Sequence, residues 1–330
     1  MVLEKTAAIE HAPLLFVDDY VTPSPGRGEV RLRVHCCAVC RTDLHIVEGD
    51  LPQVRRPLIP GHQIVGTVDA LGEGCKRLTE GQKVGAAWLG YTCGRCAFCR
   101  SGRENLCEQS RYTGYHYDGG YAEYVVVRED YAYEIPEVFD DLAAAPLLCA
   151  GIIGFRALER AEVPPGGTLL MVGFGSSAHL VLPIALHRGH EVFVVTRSHG
   201  HQQLAQHMGA KWVGSDPRDL PSKPEGAIVF APVGALVGPV LEAMQRGGRV
   251  ALAGIHMSAI PELDYEKHLY YERDLRSVTA NTREDGERLL VEAAAAGVRP
   301  QVFSYPLKEA NRALSDMKHS LIDGTGVLIP

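Results

Sequence analysis

No run of about 18 consecutive apolar residues occurs in this chain, so no membrane-crossing helix is expected. The N-terminus carries Glu4, Lys5 and Glu10 without a long apolar segment, and no secretory leader is expected. Positive charge is not in surplus: 33 lysines and arginines face 40 aspartates and glutamates, a net charge of -7. That weighs against nucleic acid as a partner, which asks for a basic face. Internal repeats, low-complexity tracts and disordered linkers are also missing, which sets solenoids and fibrous folds aside. A paired-cysteine framework is absent too. The nine cysteines are an odd number, and with no leader they suit metal ligation in a reducing compartment. A soluble, cytoplasmic protein is expected.

What is present is a globular composition, 46% hydrophobic and 22% charged. A length of 330 residues allows about two domains at ~100–200 residues each. Up to about residue 150 the chain reads as β-rich, with alternating apolar positions over 29–35, 64–70 and 121–127 and Pro and Gly turns between them. Beyond Ala143 the texture changes. Apolar strands at 168–172, 191–196, 227–231, 249–253 and 275–280 alternate with helices at 176–188 and 201–208, the pattern of a parallel sheet covered on both faces. A further helix is expected over 284–296. The strand-like run 326–329 could rejoin the first domain. The fold class is α/β, and the domain limits read as 1–148 with 284–330, and 149–283.

Cys93, Cys96, Cys99 and Cys107 crowd into one short segment of small and polar residues. Four soft anionic ligands with no open position suit a closed tetrahedral zinc site. Such a site supplies folding free energy, of order 10 kcal/mol in small zinc peptides. It says little about function, and a zinc ribbon is its other reading. Cys40-Arg-Thr-Asp-Leu-His45, Gly61-His62 and the distant Cys149 make a second set. Each alone is weak, but an open zinc site takes three protein ligands, and two Cys with one His is a known combination.

Gly173-Phe-Gly175-Ser-Ser-Ala178 lies between an expected strand and an expected helix. In that setting it reads as a dinucleotide fingerprint. Gly173 makes the turn, Gly175 lets the pyrophosphate approach, and Ala178 lets the helix pack closely. The helix start at Ser176 and Ser177 offers amide donors to phosphates.

Taken together, Cys40–His45, Gly61–Gly66, the four-cysteine lobe, Asp118–Tyr124, Leu147–Gly151 and Gly173–Ala178 resemble the zinc-containing medium-chain alcohol dehydrogenases. The resemblance runs over essentially the whole chain. It implies a GroES-like catalytic domain joined to a Rossmann domain, two zinc ions, and an alcohol/aldehyde couple worked with NADP or NAD. By that resemblance Cys40, His62 and Cys149 would bind the catalytic zinc, and Asp43 would accept a hydrogen bond from the His62 ring. Thr42 and His45 would form a proton relay, and Arg41 would meet the cofactor pyrophosphate. The family commonly places Glu after the ligand His, where this chain has Gln63. Small-alcohol members often carry Trp where Leu51 stands. Leu51 and Trp88 are therefore the candidate pocket walls, and bulkier primary alcohols or aromatic aldehydes are expected.

At the end of the second strand, where an NAD-specific domain usually has Asp or Glu, stand Thr196, Arg197 and Ser198. A cation and two hydroxyls suit a 2′-phosphate, so NADP is expected to serve at least as well as NAD. In the competing reading Arg197 faces solvent or stacks on adenine. An edge strand at 275–280 suggests a homodimer or homotetramer. A polyol or other secondary-alcohol dehydrogenase, a zinc-free quinone or enoyl reductase, and a zinc-stabilised binding protein are the alternatives.

Overall fold

The computed structural model describes residues 1–330, which divide into two units. The first comprises 1–149, 280–290 and 299–330, and the second 150–279 and 291–298. The expected limits differ from these at three places. Cys149 and residues 280–283 belong to the first unit, and 291–298 to the second. The helix Arg283–Ala295 is shared, because its later part holds Glu292, which pairs with Arg188 of the second unit at 2.7 Å.

In the first unit a seven-stranded sheet runs Val302–Pro306, Thr325–Ile329, Glu29–Ala38, Gln63–Leu71, Lys83–Ala86, Ala132–Glu134, with Tyr124–Arg128 also pairing Glu29–Ala38. The C-terminal strand joins this sheet through Val327↔Ala38 and Leu328↔Cys37. Alternation in Glu29–Ala38 buries Val30, Leu32, Val34 and Cys36. A helix that the motif reading passed over, Arg41–Glu48, follows that strand. Its N-cap is Cys40, whose sulfur accepts from Thr42 N (3.3 Å), while Asp43 accepts from Cys40 N (2.9 Å). This is a capping box with a thiol in the Ser/Thr place.

The second unit is a six-stranded, all-parallel sheet in the order Trp212–Gly214, Glu191–Val195, Thr168–Val172, Gly226–Val229, Arg249–Leu252, Asp274–Ser277. That is the doubly wound order of dinucleotide-binding domains. Thr168–Val172 is buried throughout, as a strand covered on both faces must be. The short outer strand at Trp212 has too few residues to show a period, and sequence reading missed it.

The continuous helical stretch Asp141–Ala161 has 21 residues and a mean hydropathy of 1.6, long and apolar enough by length and composition to cross a membrane. The stretch is mostly buried and carries Arg156, Glu159 and Cys149, which is the character of a core helix.

Candidate active site

Three segments of the first unit converge on one point. Cys40 caps the helix Arg41–Glu48, His62 precedes the strand Gln63–Leu71, and Cys149 lies in a π-helical turn, Leu147–Gly151. Gly61 is obligatory beside His62: its φ is +99°, and a Cβ there would stand 2.4 Å from the Tyr121 ring. The Cys40 sulfur lies 3.3 Å from His62 Nε2, and the Cys149 sulfur 3.4 Å from it. All three donor atoms fall within 4.8 Å of one another. In a tetrahedral zinc site the donor atoms stand about 3.5–3.8 Å apart, given bonds of about 2.0–2.3 Å. The triangle therefore fits zinc and leaves the fourth corner to a ligand.

Electrostatics point the same way. His62 Nδ1 lies 2.9 Å from Asp43 Oδ1, and both residues are buried. With Nδ1–H donated to the carboxylate, Nε2 turns its lone pair to the thiols. Burial pushes the Asp43 carboxyl up, the His62 ring opposes it, and the balance lies above the ordinary range. Burial also disfavours a Cys40 thiolate, but the Cys149 hydrogen bond and His62 bring that thiol well below its ordinary value. Cys149 moves up in turn, through its hydrogen bond to Cys40 and burial. Gln63 is 1% exposed, and its Nε2 has no hydrogen-bond partner.

Thr42 is buried one turn from His45 on the same helix. His45 Nδ1 lies 2.7 Å from Asp50 Oδ2, a partner sequence reading did not find. Arg41 is exposed at the helix start. Trp88 meets His62 edge-on at 5.0 Å between ring centroids and stacks on Tyr112 at 4.8 Å and Tyr115 at 5.9 Å. The Tyr115 hydroxyl donates to Pro52 O (2.7 Å), next to Leu51, which packs half-buried on the core. Trp88 is thus part of an aromatic cluster with Tyr112 and Tyr115. A separate cavity of about 530 Å³ under residues 16–23 touches none of the triangle.

The four-cysteine lobe is closed. Cys96 and Cys99 sulfurs are 3.5 Å apart, and Cys93 and Cys99 3.9 Å. Amides of Cys96 and Cys99 donate to the sulfurs of Cys93 and Cys96, and Cys93 N donates to Cys107, each at 3.4 Å. Amide donation from Arg95 and Cys96 holds the Cys93 thiol down to about 6, while burial lifts Cys99 to about 11. Glu104, inside the lobe, pairs with Arg283 at 2.8 Å and also accepts from Arg283 N.

In the second unit the fingerprint makes the expected strand–turn–helix. Gly173 has φ +89°, and a Cβ there would come 2.9 Å from Ala231 N. Nothing lies within 4 Å of where a Gly175 Cβ would be, so the space a phosphate needs is open. The exposed Ser176 and half-buried Ser177 begin the helix Ser176–His187, and Ala178 is buried. Gly154, unremarked in the sequence, lets the neighbouring helix approach, since its Cβ would lie 2.4 Å from Val181. At the end of Glu191–Val195, Thr196 is buried and its carbonyl accepts from Gln202 Nε2 (2.7 Å). Arg197 and Ser198 are exposed, and the Ser198 hydroxyl accepts from His201 N (3.3 Å) as a helix cap. Its proton remains available for a second partner.

A family model described as Alcohol dehydrogenase GroES-like domain matches residues 26–137. The Mycobacterium tuberculosis protein named Probable alcohol dehydrogenase AdhA is 48% identical over 313 residues, covering 93% of this chain and 90% of its own length. An alcohol dehydrogenase of Geobacillus stearothermophilus is 34% identical over 323 residues, covering 95% of this chain and 96% of its own. A cobalt- and zinc-bound thermostable alcohol dehydrogenase from Pyrobaculum aerophilum matches with a TM-score of 0.87 and 26% identity, over 100% of this chain and 98% of that one. Identity of this order over almost the whole length, joined to donor sets of the right chemistry, makes the conclusion plain: this chain belongs to the zinc-containing medium-chain alcohol dehydrogenases.

Proposed function

We propose that Cys40, His62 and Cys149 hold the catalytic zinc of an alcohol dehydrogenase that interconverts an alcohol and its aldehyde with NADP or NAD. The observation that carries this is the convergence of three donor atoms within 4.8 Å from segments far apart in sequence. When bound there, zinc supplies the Lewis acidity that makes an alcohol proton removable near neutral pH, and the nicotinamide supplies the hydride acceptor. The chain's own residues do the rest. Asp43 fixes the His62 tautomer and ring plane. Thr42 passes a proton but cannot keep it, because a hydroxyl gains and loses a proton in the same step. His45 can keep it, with Asp50 holding Nδ1. Trp88 and Leu51 wall the substrate side, and an isobutyl group in place of an indole leaves volume for bulkier primary alcohols or aromatic aldehydes.

Arg41 is assigned to the pyrophosphate. Gly173, Gly175, Ser176, Ser177 and Ala178 form the phosphate turn of the second unit. Thr196, Arg197 and Ser198 form the ribose site and favour NADP, since no carboxylate repels a 2′-phosphate there. Cys93, Cys96, Cys99 and Cys107 hold a structural zinc. The strand Asp274–Ser277 ends its sheet with one edge unpaired, which supports assembly into a dimer or tetramer. A cytoplasmic location follows from the thiol-rich metal sites.

The test is elemental analysis with an alcohol and aldehyde panel in both cofactors. Two zinc ions per chain and cofactor-dependent turnover are expected. A two-zinc protein that turns over no alcohol or aldehyde overturns the enzymatic reading in favour of a zinc-stabilised binding protein.

A further inference from the structure

Away from the ligand triangle, side chains from two strands of the first unit meet on one carboxylate, and a third strand joins them through the ring of His35. Asp141 is the first residue of the helix Asp141–Pro146. Its Oδ2 lies 2.8 Å from His35 Nδ1, and its Oδ1 lies 3.3 Å from Lys83 Nζ. The other ring nitrogen, His35 Nε2, lies 2.9 Å from the Thr67 hydroxyl. The backbone is held as well: the Cys36 thiol donates to Asp141 O (3.2 Å), and Lys83 Nζ donates to Phe139 O (2.9 Å). An ionised carboxylate only accepts, so Nδ1 carries the ring proton and Nε2 accepts from Thr67. Lys83 balances the charge of Asp141, and each nitrogen of the imidazole has a partner.

The elements that supply this chain of bonds are those that supply the metal triangle. The strand of His35, Glu29–Ala38, runs on to Cys40. The strand of Thr67, Gln63–Leu71, begins directly after His62. The helix of Asp141 runs directly into the π-helical turn Leu147–Gly151 that carries Cys149. Each of the three ligand-bearing segments thus gives one residue to the clamp. Within the continuous helical stretch 141–161, the π-helical turn is the place where register can slip. Cys40 and His62 are already fixed to each other by the pairing of their strands, which runs up to Ala38↔Gln63. Cys149 has no such ladder.

We propose that Thr67, His35 and Asp141, with Lys83, are positioning residues that set Cys149 against Cys40 and His62 and so govern how tightly that site keeps its metal. This rests on the reading of the triangle as a zinc site. The four-cysteine lobe shares none of these contacts, so it serves as an internal reference within the same molecule.

The experiment follows zinc release from the two-zinc holoenzyme into a chelating dye, for wild type, His35→Ala, His35→Asn, Thr67→Val and Asp141→Ala. For His35→Ala and Asp141→Ala, one zinc is expected to leave about 10–100 times faster, the range found when an outer partner of a metal ligand is lost, while the lobe zinc leaves at the wild-type rate. His35→Asn places an amide donor where Nδ1 was and should restore most of the retention. Thr67→Val should give a smaller effect of the same sign and carries the test if His35→Ala does not fold. Equal acceleration of both zincs, or folded variants that keep wild-type release at both sites, overturns the proposal. A wild type that holds zinc in the lobe alone overturns the metal reading itself, and the proposal with it.

Discussion

The two cysteine-rich sites of the first unit use the same element of chemistry and are built in opposite ways. The lobe draws Cys93, Cys96, Cys99 and Cys107 from one short stretch, and its own amides solvate its sulfurs. The triangle draws Cys40, His62 and Cys149 from three segments, and its geometry is set by a capping box, a left-handed glycine and a π-helical turn. A local site can form early and helps its own segment fold. An assembled site exists only once the sheet around it does, and it can therefore keep one corner open. Stability is expected to depend on the first and turnover on the second.

The sharpest break of that comparison is a pair of substitutions. Cys149→Ala should keep the fold and the lobe zinc yet lower kcat/KM by about 10³-fold or more, the loss of several kcal/mol of Lewis-acid stabilisation. Cys93→Ser should instead reduce the yield of folded chain. Circular dichroism and zinc content read the two apart, and a Cys149→Ala protein that fails to fold would erase the distinction.

Next in size is the cofactor site of the second unit, as local in sequence as the lobe. Arg197→Ala should lower NADP efficiency by about 10–100-fold, the value of losing hydrogen bonds to a charged group, and leave NAD unaffected. If wild type strongly prefers NAD and the change alters neither efficiency, the phosphate assignment is wrong.

A third prediction concerns the anchor of the lobe. Glu104→Gln should cost about 2 kcal/mol, because it weakens a nearly buried, charge-assisted pair with Arg283. Burial raises the Glu104 carboxyl, but the Arg283 hydrogen bond outweighs it and holds the group below the ordinary value. The contribution is thus present in full above the unfolded carboxylate range and fades as pH falls through the folded value. Thermal unfolding of the two proteins should differ at neutral pH and converge in acid. Convergence at every pH would show the pair to be idle.

His45→Gln, in the assembled site, should slow turnover by roughly tenfold, the low side of what positioned acid–base groups contribute. The deficit should be largest at neutral and lower pH, where solvent base is scarce. A pH–rate profile of unchanged height and shape refutes the relay. The smallest effect is expected from Leu51→Trp, a narrowing of the accepted alcohols toward short chains with stability unchanged. An unaltered panel leaves Leu51 as loop packing.

How much of this was legible in the sequence follows the same division. The lobe and the fingerprint are contiguous, so residue type and spacing sufficed. Five of the six parallel strands announced themselves as apolar runs, and the outermost, Trp212–Gly214, was too short to do so. The helix Arg41–Glu48 was hidden, because a thiol is an unusual N-cap and its residues drew attention as ligands. The clamp on Asp141 was out of reach, since its histidine stands 106 residues away and no periodicity links the two. Asp50 could have been found: a carboxylate one turn beyond His45, after a glycine that ends the helix, is a local signal.

The chain contains two tryptophans, and they fall one to each unit. Trp88 meets the His62 ring at 5.0 Å, while Trp212 lies on the outermost strand of the parallel sheet, 6.2 Å from Phe193. Indole emission responds to the charge and polarity of its immediate surroundings. The molecule therefore carries its own pair of optical reporters, one beside the catalytic triangle and one in the nucleotide-binding sheet. Replacing either with phenylalanine would assign each spectral change on metal loading or cofactor addition to its unit, with no external label.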